Sequence, residues 1–288
     1  NFDISQSSIF DICKHINTSE VIFNHFKRYL LVGGFPEFIK GSKDFNDLTL
    51  KRFDIVSKII KPDLNELYNI RNVRQAEKVF LYLCINSSKA INVESLSRTL
   101  GQMNKISINN YIEFLKCSNL INDSEPVPIN GEIRYKNRPK IYMQDGAIRN
   151  AVLFTDKTIP NEAEMDSIVE AVLYRHFLST FDKNAKQIGY YRKAIGNHSE
   201  IDIVTQFDDS ILLCDVQYTD NPSISKDDIF YEIANSPKHK VSNAILVTKN
   251  KSDFGVCDFS TRVPIIKIPA CTIMYILGYM ESINFTLE

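Results

Sequence analysis

Two short β-like runs carry acidic side chains within otherwise apolar sequence, and they flank a polar turn. The runs are residues 200–204 (EIDIV) and 212–218 (LLCDVQY), and the turn contains Asp208 and Asp209. Carboxylates in a half-buried strand are costly unless something compensates their charge. A two-residue loop at Asp208 and Asp209 would join the two runs as an antiparallel hairpin.

The register of that hairpin decides which side chains meet. Counting outward from the loop places Asp202 opposite Asp215 and Glu200 opposite Gln217, all on one face. Directly opposed side chains have Cβ atoms roughly 4.5–5.5 Å apart, so two carboxylates repel unless a cation or a proton lies between them. A divalent metal ion is the occupant that this pattern predicts.

The composition is typical of a globular protein inside the cell. At 288 residues with 44% apolar residues, the chain can bury a substantial core and form two or three domains. A net charge of −1 creates no global field, so any nucleic-acid surface must be local. The cysteines form no C-x-x-C pair, and no apolar run approaches a membrane-spanning length. We therefore expect a cytoplasmic protein with reduced thiols, no zinc site and no membrane partner.

The first half of the chain predicts helices followed by a β-hairpin. The pattern is helical up to Tyr68, with a break at residues 33–37 (GGFPE) and a second helix at 48–60. Three short amphipathic helices follow, and two strands are predicted at residues 132–135 and 140–143. This is the order of a winged-helix domain. The apolar face of the first of these three helices comprises Ala76, Val79, Phe80, Leu83 and Cys84.

The second half of the chain alternates between helices and strands. The predicted elements are a helix at 166–178, strands at 187–192, 200–205 and 211–217, a helix at 227–235, strands at 244–248 and 263–268, and a helix at 272–280. The order α-β-β-β-α-β predicts a mixed sheet flanked by helices, which is an α/β fold.

Four segments together resemble the C-terminal part of a family of bacterial and archaeal AAA-type ATPases. They are residues 29–37 (YLLVGGFPE), 141–150 (IYMQDGAIRN), 190–192 (YYR) and 200–204 (EIDIV). The C-terminal domain of that family is a domain of unknown function.

The resemblance implies an α and α/β chain with three domains. These are a helical lid remnant of the ATPase at 1–70, a winged-helix domain at 71–150, and a PD-(D/E)xK, restriction-endonuclease-like αβββαβ domain at 151–288. No segment matches G-x-x-x-x-G-K-[ST], so we expect ATP to bind only to an ATPase module that precedes this sequence. The implied partners are that module and DNA, and the full-length protein is expected to form a homo-oligomer.

In the PD-(D/E)xK pattern, a helix carboxylate and two strand carboxylates surround one or two divalent cations. The matching positions are Glu170, Asp202, Asp215 and Gln217. Asp202, Asp215 and Glu170 would be ligands for Mg²⁺ or Mn²⁺, which would activate a water molecule for phosphodiester hydrolysis. Gln217 departs from the family's lysine, and a neutral amide cannot stabilise developing negative charge in the same way.

Three interpretations of this acidic site stay open. The chain is a metal-dependent nuclease in which a nearby lysine, Lys193 or Lys226, supplies the missing charge. Alternatively, the site is degenerate at Gln217, and the chain is a non-catalytic module that binds DNA or protein and regulates the ATPase. In the third interpretation, Asp202 and Asp215 have structural roles and hold no metal.

The winged-helix region contains the candidate DNA-binding residues. Its third predicted helix begins near Lys105, Asn109 and Asn110, which would contact phosphates or base edges. In the predicted hairpin, basic residues alternate and would line one face of a wing against the DNA backbone. These residues are Arg134, Lys136, Arg138 and Lys140. The alternative is a winged helix that packs only against protein.

Overall fold

The structure is a computed structural model that describes residues 8–36, 72–129, 138–153, 160–193, 200–258 and 260–286. Within these residues the chain is a mixed α/β protein with nine helices and nine strands. The predicted helix at 48–60 and the predicted strand at 132–135 lie outside the described residues. None of the described helices is long and apolar enough to cross a bilayer.

The chain divides into two compact units. The helical unit comprises residues 28–124 and 138–160, and the sheet unit comprises residues 1–27, 125–137 and 161–288. The predicted boundary between a lid remnant and a winged-helix domain, at residue 70, lies outside the described residues.

The chain begins with two consecutive helices, α1 (Ile9–Thr18) and α2 (Glu20–Val32). Helix α2 ends where the sequence predicted a break, because the next residue, Gly33, has a φ of +72°. The amide of Gly33 donates a hydrogen bond of 2.9 Å to the carbonyl of Tyr29, which closes the last turn of the helix. A glycine in this left-handed conformation is a common helix terminator.

After the end of α2, the helical unit consists of short helices and short strands. Its elements are α3 (Val73–Ile85), β1 (Lys89–Ala90), α4 (Val93–Thr99), α5 (Lys105–Cys117), β2 (Ile121–Pro126), β3 (Lys140–Met143) and α6 (Gly146–Leu153). Helices α3, α4 and α5 each begin after an asparagine whose side-chain oxygen accepts a hydrogen bond from an amide of the first turn. Strands β1 and β2 both pair antiparallel with β3.

The apolar face predicted for α3 forms part of the core of the helical unit. All five of its predicted residues are buried: Ala76, Val79, Phe80, Leu83 and Cys84. They pack with Leu96 of α4 and with Ile108, Phe114 and Leu115 of α5. Burial of these three apolar faces against one another is the main stabilising contribution in such a small unit.

The sheet unit contains α1 and the first residues of α2, and from residue 161 onward it comprises a long helix, six strands and two further helices. The elements are α7 (Glu162–Phe181), β4 (Gln187–Arg192), β5 (Glu200–Gln206), β6 (Ile211–Gln217), α8 (Ile229–Asn235), β7 (Val241–Thr248), β8 (Gly255–Val256), β9 (Ile265–Pro269) and α9 (Ala270–Thr286). The predicted order α-β-β-β-α-β is confirmed at the level of these elements. Asn161 and Glu164 form a reciprocal capping box that fixes the start of α7.

The sheet of this unit is mixed. Strands β4, β5 and β6 pair antiparallel as a meander, whereas β6, β7 and β9 are parallel neighbours. The last two residues of β2 pair in parallel with β4, where Glu125 lies beside Gly189. Helix α8 supplies the crossover that joins the parallel strands β6 and β7.

The hairpin of β5 and β6 has the predicted two-residue loop. The amide of Phe207 donates to the carbonyl of Ser210 at 2.9 Å, which closes the loop at Asp208 and Asp209. Pairing then continues from Gln206 opposite Ile211 to Ile203 opposite Cys214. The observed pairing ends there, one step short of the predicted pair of Asp202 and Asp215.

Helices α7 and α9 are held together by a buried polar pair. Nδ1 of His176 lies 2.5 Å from Oε1 of Glu281, and the His176 side chain is buried. Burial raises the pKa of Glu281, but the hydrogen bond and charge of His176 outweigh burial, so the pKa of this carboxyl is lowered. The pair therefore positions α7, the helix that carries the acidic side chains described below.

Candidate functional site

The two predicted strand carboxylates lie at the same end of the β5–β6 hairpin. Asp202 and Asp215 are both half-buried. Oδ2 of Asp202 accepts a hydrogen bond of 3.0 Å from the amide of Val216, across the hairpin. Burial raises the pKa of the Cys214 thiol well above its ordinary value, and the charges of Asp215 and Asp202 raise it further. Both carboxylates are therefore close enough to Cys214 to affect its ionisation.

Gln217 takes part in local hydrogen bonding through both ends of its side-chain amide. Its Oε1 accepts a hydrogen bond of 2.8 Å from the amide of Ser223, and its Nε2 lies 3.4 Å from Oδ2 of Asp215. Lys193 is one of the two lysines considered as replacements for the missing lysine at position 217. It forms a 2.6 Å ion pair with Glu232 of α8. The other proposed lysine, Lys226, is exposed in the loop before α8.

Helix α7 presents acidic residues at every fourth position, namely Glu162, Asp166 and Glu170. Oδ1 of Asp166 accepts a hydrogen bond of 2.7 Å from the amide of Tyr218, directly after β6. Oε1 of Glu162 accepts one of 3.1 Å from the amide of Asp220. Glu170, the predicted helix ligand, is buried with 7% of its surface exposed.

Sequence reasoning missed Asp166 and Glu162. Their distance from β6 along the chain hides the contact, because more than fifty residues separate each carboxylate from the amide that it binds. The signal that the sequence does contain is the spacing of four residues between Glu162, Asp166 and Glu170, which places their side chains on one face of a helix. That spacing extends the face of Glu170 by two turns towards the start of α7.

Lys249, which follows β7, compensates the acidic charge near the start of α7. Its Nζ lies 2.7 Å from Oδ1 of Asp220 and 3.5 Å from Oε1 of Glu162. The hydrogen bond with Asp220, followed by the charges of both carboxylates, raises the pKa of Lys249. Lys249 therefore links the loop after β6 to the start of α7 through these two ion pairs.

These carboxylates do not fit the metal-ion site that the resemblance implies. In the described parts of the chain, no three His, Cys, Asp or Glu side chains are arranged to hold a metal ion. Asp202, Asp215 and Glu170 are thus not gathered as one ligand set.

The predicted DNA-reading helix, α5, carries cations that are paired with acidic neighbours. Lys105 forms a 2.7 Å ion pair with Glu94 of α4. Lys116, near the end of the helix, lies 2.7 Å from Asp123 and 3.4 Å from Glu113. The predicted contact residues Asn109 and Asn110 are exposed on the same helix. The exposed polar face of α5 is therefore close to electrically neutral.

The prediction that Lys140 lies on an exposed basic wing is wrong. Its side chain is buried, with 2% exposed, because every residue of the central strand β3 is covered. Lys140 therefore cannot contact a DNA backbone, and alternation along an exposed wing does not extend to this position. Arg138 is exposed just before β3, whereas Arg134 and Lys136 lie outside the described residues.

Two of the segments that carry the family resemblance meet in the helical unit. Oδ2 of Asp145 accepts a hydrogen bond of 2.8 Å from the amide of Gly34, and its Oδ1 accepts one of 2.7 Å from the amide of Ala147. Nδ2 of Asn150 donates to the carbonyl of Leu31 at 2.8 Å. The two segments thus cap the end of α2 and the start of α6, which is a structural role.

The comparisons with known families divide the chain in a similar way. Residues 23–158 match the model of DUF8612, a domain of unknown function, and residues 165–270 match that of DUF4143, a second domain of unknown function. DUF4143 domains are often found in the C-terminal region of AAA-ATPase proteins. No curated protein matches this chain. The chain thus carries a region similar to DUF8612, followed by a region similar to DUF4143 that contains the acidic end of the β5–β6 hairpin.

Proposed function

We propose that this chain is a non-catalytic binding portion of an AAA-type ATPase, which regulates the ATPase module. In this proposal the helical unit contains a winged-helix domain, and the sheet unit is a PD-(D/E)xK-like domain that has lost hydrolysis. The element orders α3-β1-α4-α5-β2-β3 and α7-β4-β5-β6-α8-β7 support these two assignments. The similarity to DUF4143 supports the link to an ATPase.

The observation that carries the proposal is the environment of Gln217. Phosphodiester hydrolysis needs preorganised positive charge where negative charge develops. The position where the resemblance implies a lysine is occupied by a neutral amide that bonds to Ser223 and Asp215. Lys193 pairs with Glu232 instead. Neither Gln217 nor the paired Lys193 therefore supplies the positive charge that hydrolysis would need, which supports the loss of catalysis.

The charges of the helical unit favour a protein partner over DNA. Binding to DNA depends on cations that replace the counterions of phosphates. On α5, however, Lys105 is paired with Glu94 and Lys116 with Asp123. The most exposed apolar side chain of the same helix is Ile106, with 70% of its surface exposed. The ATPase module of the same protein is the partner that we propose.

A metal-dependent deoxyribonuclease is the second candidate function. The β5–β6 hairpin favours it, because Asp202 and Asp215 both lie just beyond the last paired residues of that hairpin. Two strand carboxylates are the part of a PD-(D/E)xK site that this chain would retain. In this candidate, both side chains would have to exchange their present hydrogen-bond partners for the ion.

A cleavage assay separates the two candidates. We expect the purified chain to leave single-stranded, duplex and branched DNA intact in Mg²⁺ or Mn²⁺, because Gln217 cannot supply the required charge. Asp215→Asn, purified identically, is the control for a contaminating nuclease. Cleavage by the wild-type chain that disappears in Asp215→Asn would contradict the proposal and establish the nuclease.

A further inference from the structure

We infer that acidic side chains replace strand β5 as the hydrogen-bonding partner of the chain that continues β6. In this inference Asp202, Asp166 and Glu162 are positioning residues that hold backbone amides. This role accounts for the carboxylates at this end of the sheet unit without a metal site. It depends on the geometry alone and is independent of the proposed binding function.

The first step is the separation of β5 from β6. Because Phe207 and Ser210 form the hydrogen-bonded pair that closes the loop, every second amide of β6 from residue 212 onward points towards β5. Pairing with β5 extends to Ile203 opposite Cys214. At the next such position, the amide of Val216 donates to the side chain of Asp202. A side chain has thus taken the place of the strand's backbone carbonyl.

The second step is the row of acceptors that α7 presents to the chain after β6. Asp166 and Glu162 are four residues apart, which corresponds to about 6 Å along a helix. The amides that they bind, of Tyr218 and Asp220, are two residues apart in the segment that bends after β6. The two rows of residues run in opposite directions. Helix α7 therefore serves as a row of side-chain acceptors beside the continuation of β6.

The third step is the closure of the loop that follows. Nδ2 of Asn250 donates a hydrogen bond of 3.2 Å to the backbone carbonyl of Asp220. Both backbone polar groups of Asp220 are therefore hydrogen-bonded, since its amide binds Glu162. The amide of Ser223 then donates to Gln217. In this arrangement Gln217 fits better than lysine, because an ammonium group has no acceptor for the amide of Ser223.

Amide hydrogen exchange, measured by NMR on the full chain without metal or DNA, tests this inference. Asp166→Ala is expected to accelerate exchange of the Tyr218 amide by about tenfold, because it removes a charged acceptor. Asp166→Asn keeps an acceptor oxygen, so exchange of that amide is expected to stay within about threefold of wild type. The amide of Cys214, which faces β5 in the paired part of the hairpin, is the internal control and is expected to be unchanged.

Glu162→Ala provides an independent variant at an exposed position, in case Asp166→Ala fails to fold. It is expected to accelerate exchange at Asp220 by about threefold while leaving Cys214 unchanged. Wild-type exchange at Tyr218 in Asp166→Ala, or at Asp220 in Glu162→Ala, would overturn the inference. Equally fast exchange in Asp166→Asn and Asp166→Ala would also overturn it, because charge rather than an acceptor would then be essential. None of these readings depends on whether the chain binds a partner or cleaves DNA.

Discussion

Replacing Gly33 with alanine is expected to destabilise the helical unit by about 2–4 kcal/mol. The left-handed backbone conformation, with a φ of +72°, costs about 1–2 kcal/mol for a residue with a side chain. The added Cβ would also overlap Oδ1 of Asp145 and lie 2.8 Å from Cβ of Ala147. Displacing Asp145 would break its bonds to Gly34 and Ala147, at a cost of about 1–3 kcal/mol.

Equilibrium unfolding in urea measures this effect, and the neighbouring glycine provides the control. A Cβ at Gly34 would lie 3.5 Å from both Oδ2 of Asp145 and Cε2 of Tyr29, which is ordinary contact. We therefore expect Gly34→Ala to lose less than about 1 kcal/mol. Equal stability of the Gly33→Ala and Gly34→Ala variants would show that the Asp145 contact does not hold this turn.

Replacing Gly189 with alanine is expected to destabilise the sheet unit by about 1–3 kcal/mol through overpacking. Gly189 lies beside Glu125, where β2 and β4 pair in parallel. A Cβ at this position would overlap the carbonyl oxygen of Glu125 and lie 3.0 Å from Cγ2 of Val127. The obstacle is backbone rather than a flexible side chain, so β2 and β4 would have to move apart.

Gly278→Ala is the matched control for Gly189→Ala. Gly278 lies within α9, and a Cβ there would meet no atom within 4 Å. Alanine is a better helix former than glycine, so we expect this variant to gain up to about 1 kcal/mol. Thermal unfolding compares the two variants directly. A Gly189→Ala protein as stable as Gly278→Ala would rule out the close approach of β2 and β4.

The sheet unit was the most predictable part of the fold because its signals are local. Strands β4 and β6 occupy the predicted residues 187–192 and 211–217. Apolar and β-branched residues form each strand, and polar residues bound them. The hairpin register was predictable for the same reason, since a two-residue loop fixes every cross-strand pair.

The helical unit contains two strands that the sequence did not reveal, β1 and β2. Strand β2 has the sequence INDSEP, whose polar residues mask any alternation. Its pairing with β3 depends on contacts between segments distant along the chain. The burial of Lys140 had the same origin, because a central strand covered on both faces does not alternate.

The acidic site was predictable only in the part that lies on the hairpin. Asp202 and Asp215 follow from the local register, whereas the choice among the carboxylates of α7 depends on how that helix packs. The family resemblance selected Glu170 as the helix carboxylate. The chain after β6 is instead bound by Asp166 and Glu162.

The most direct test of the central claim is calorimetric titration of the purified chain with Mn²⁺, alongside Asp215→Asn. In our interpretation Asp202, Asp166 and Glu162 bind backbone amides, and the carboxylates at this end of the hairpin do not assemble a metal site. We therefore expect no stoichiometric binding heat from the wild-type chain and the same trace from Asp215→Asn. One-to-one binding of Mn²⁺ by the wild-type chain that is lost in Asp215→Asn would contradict the account.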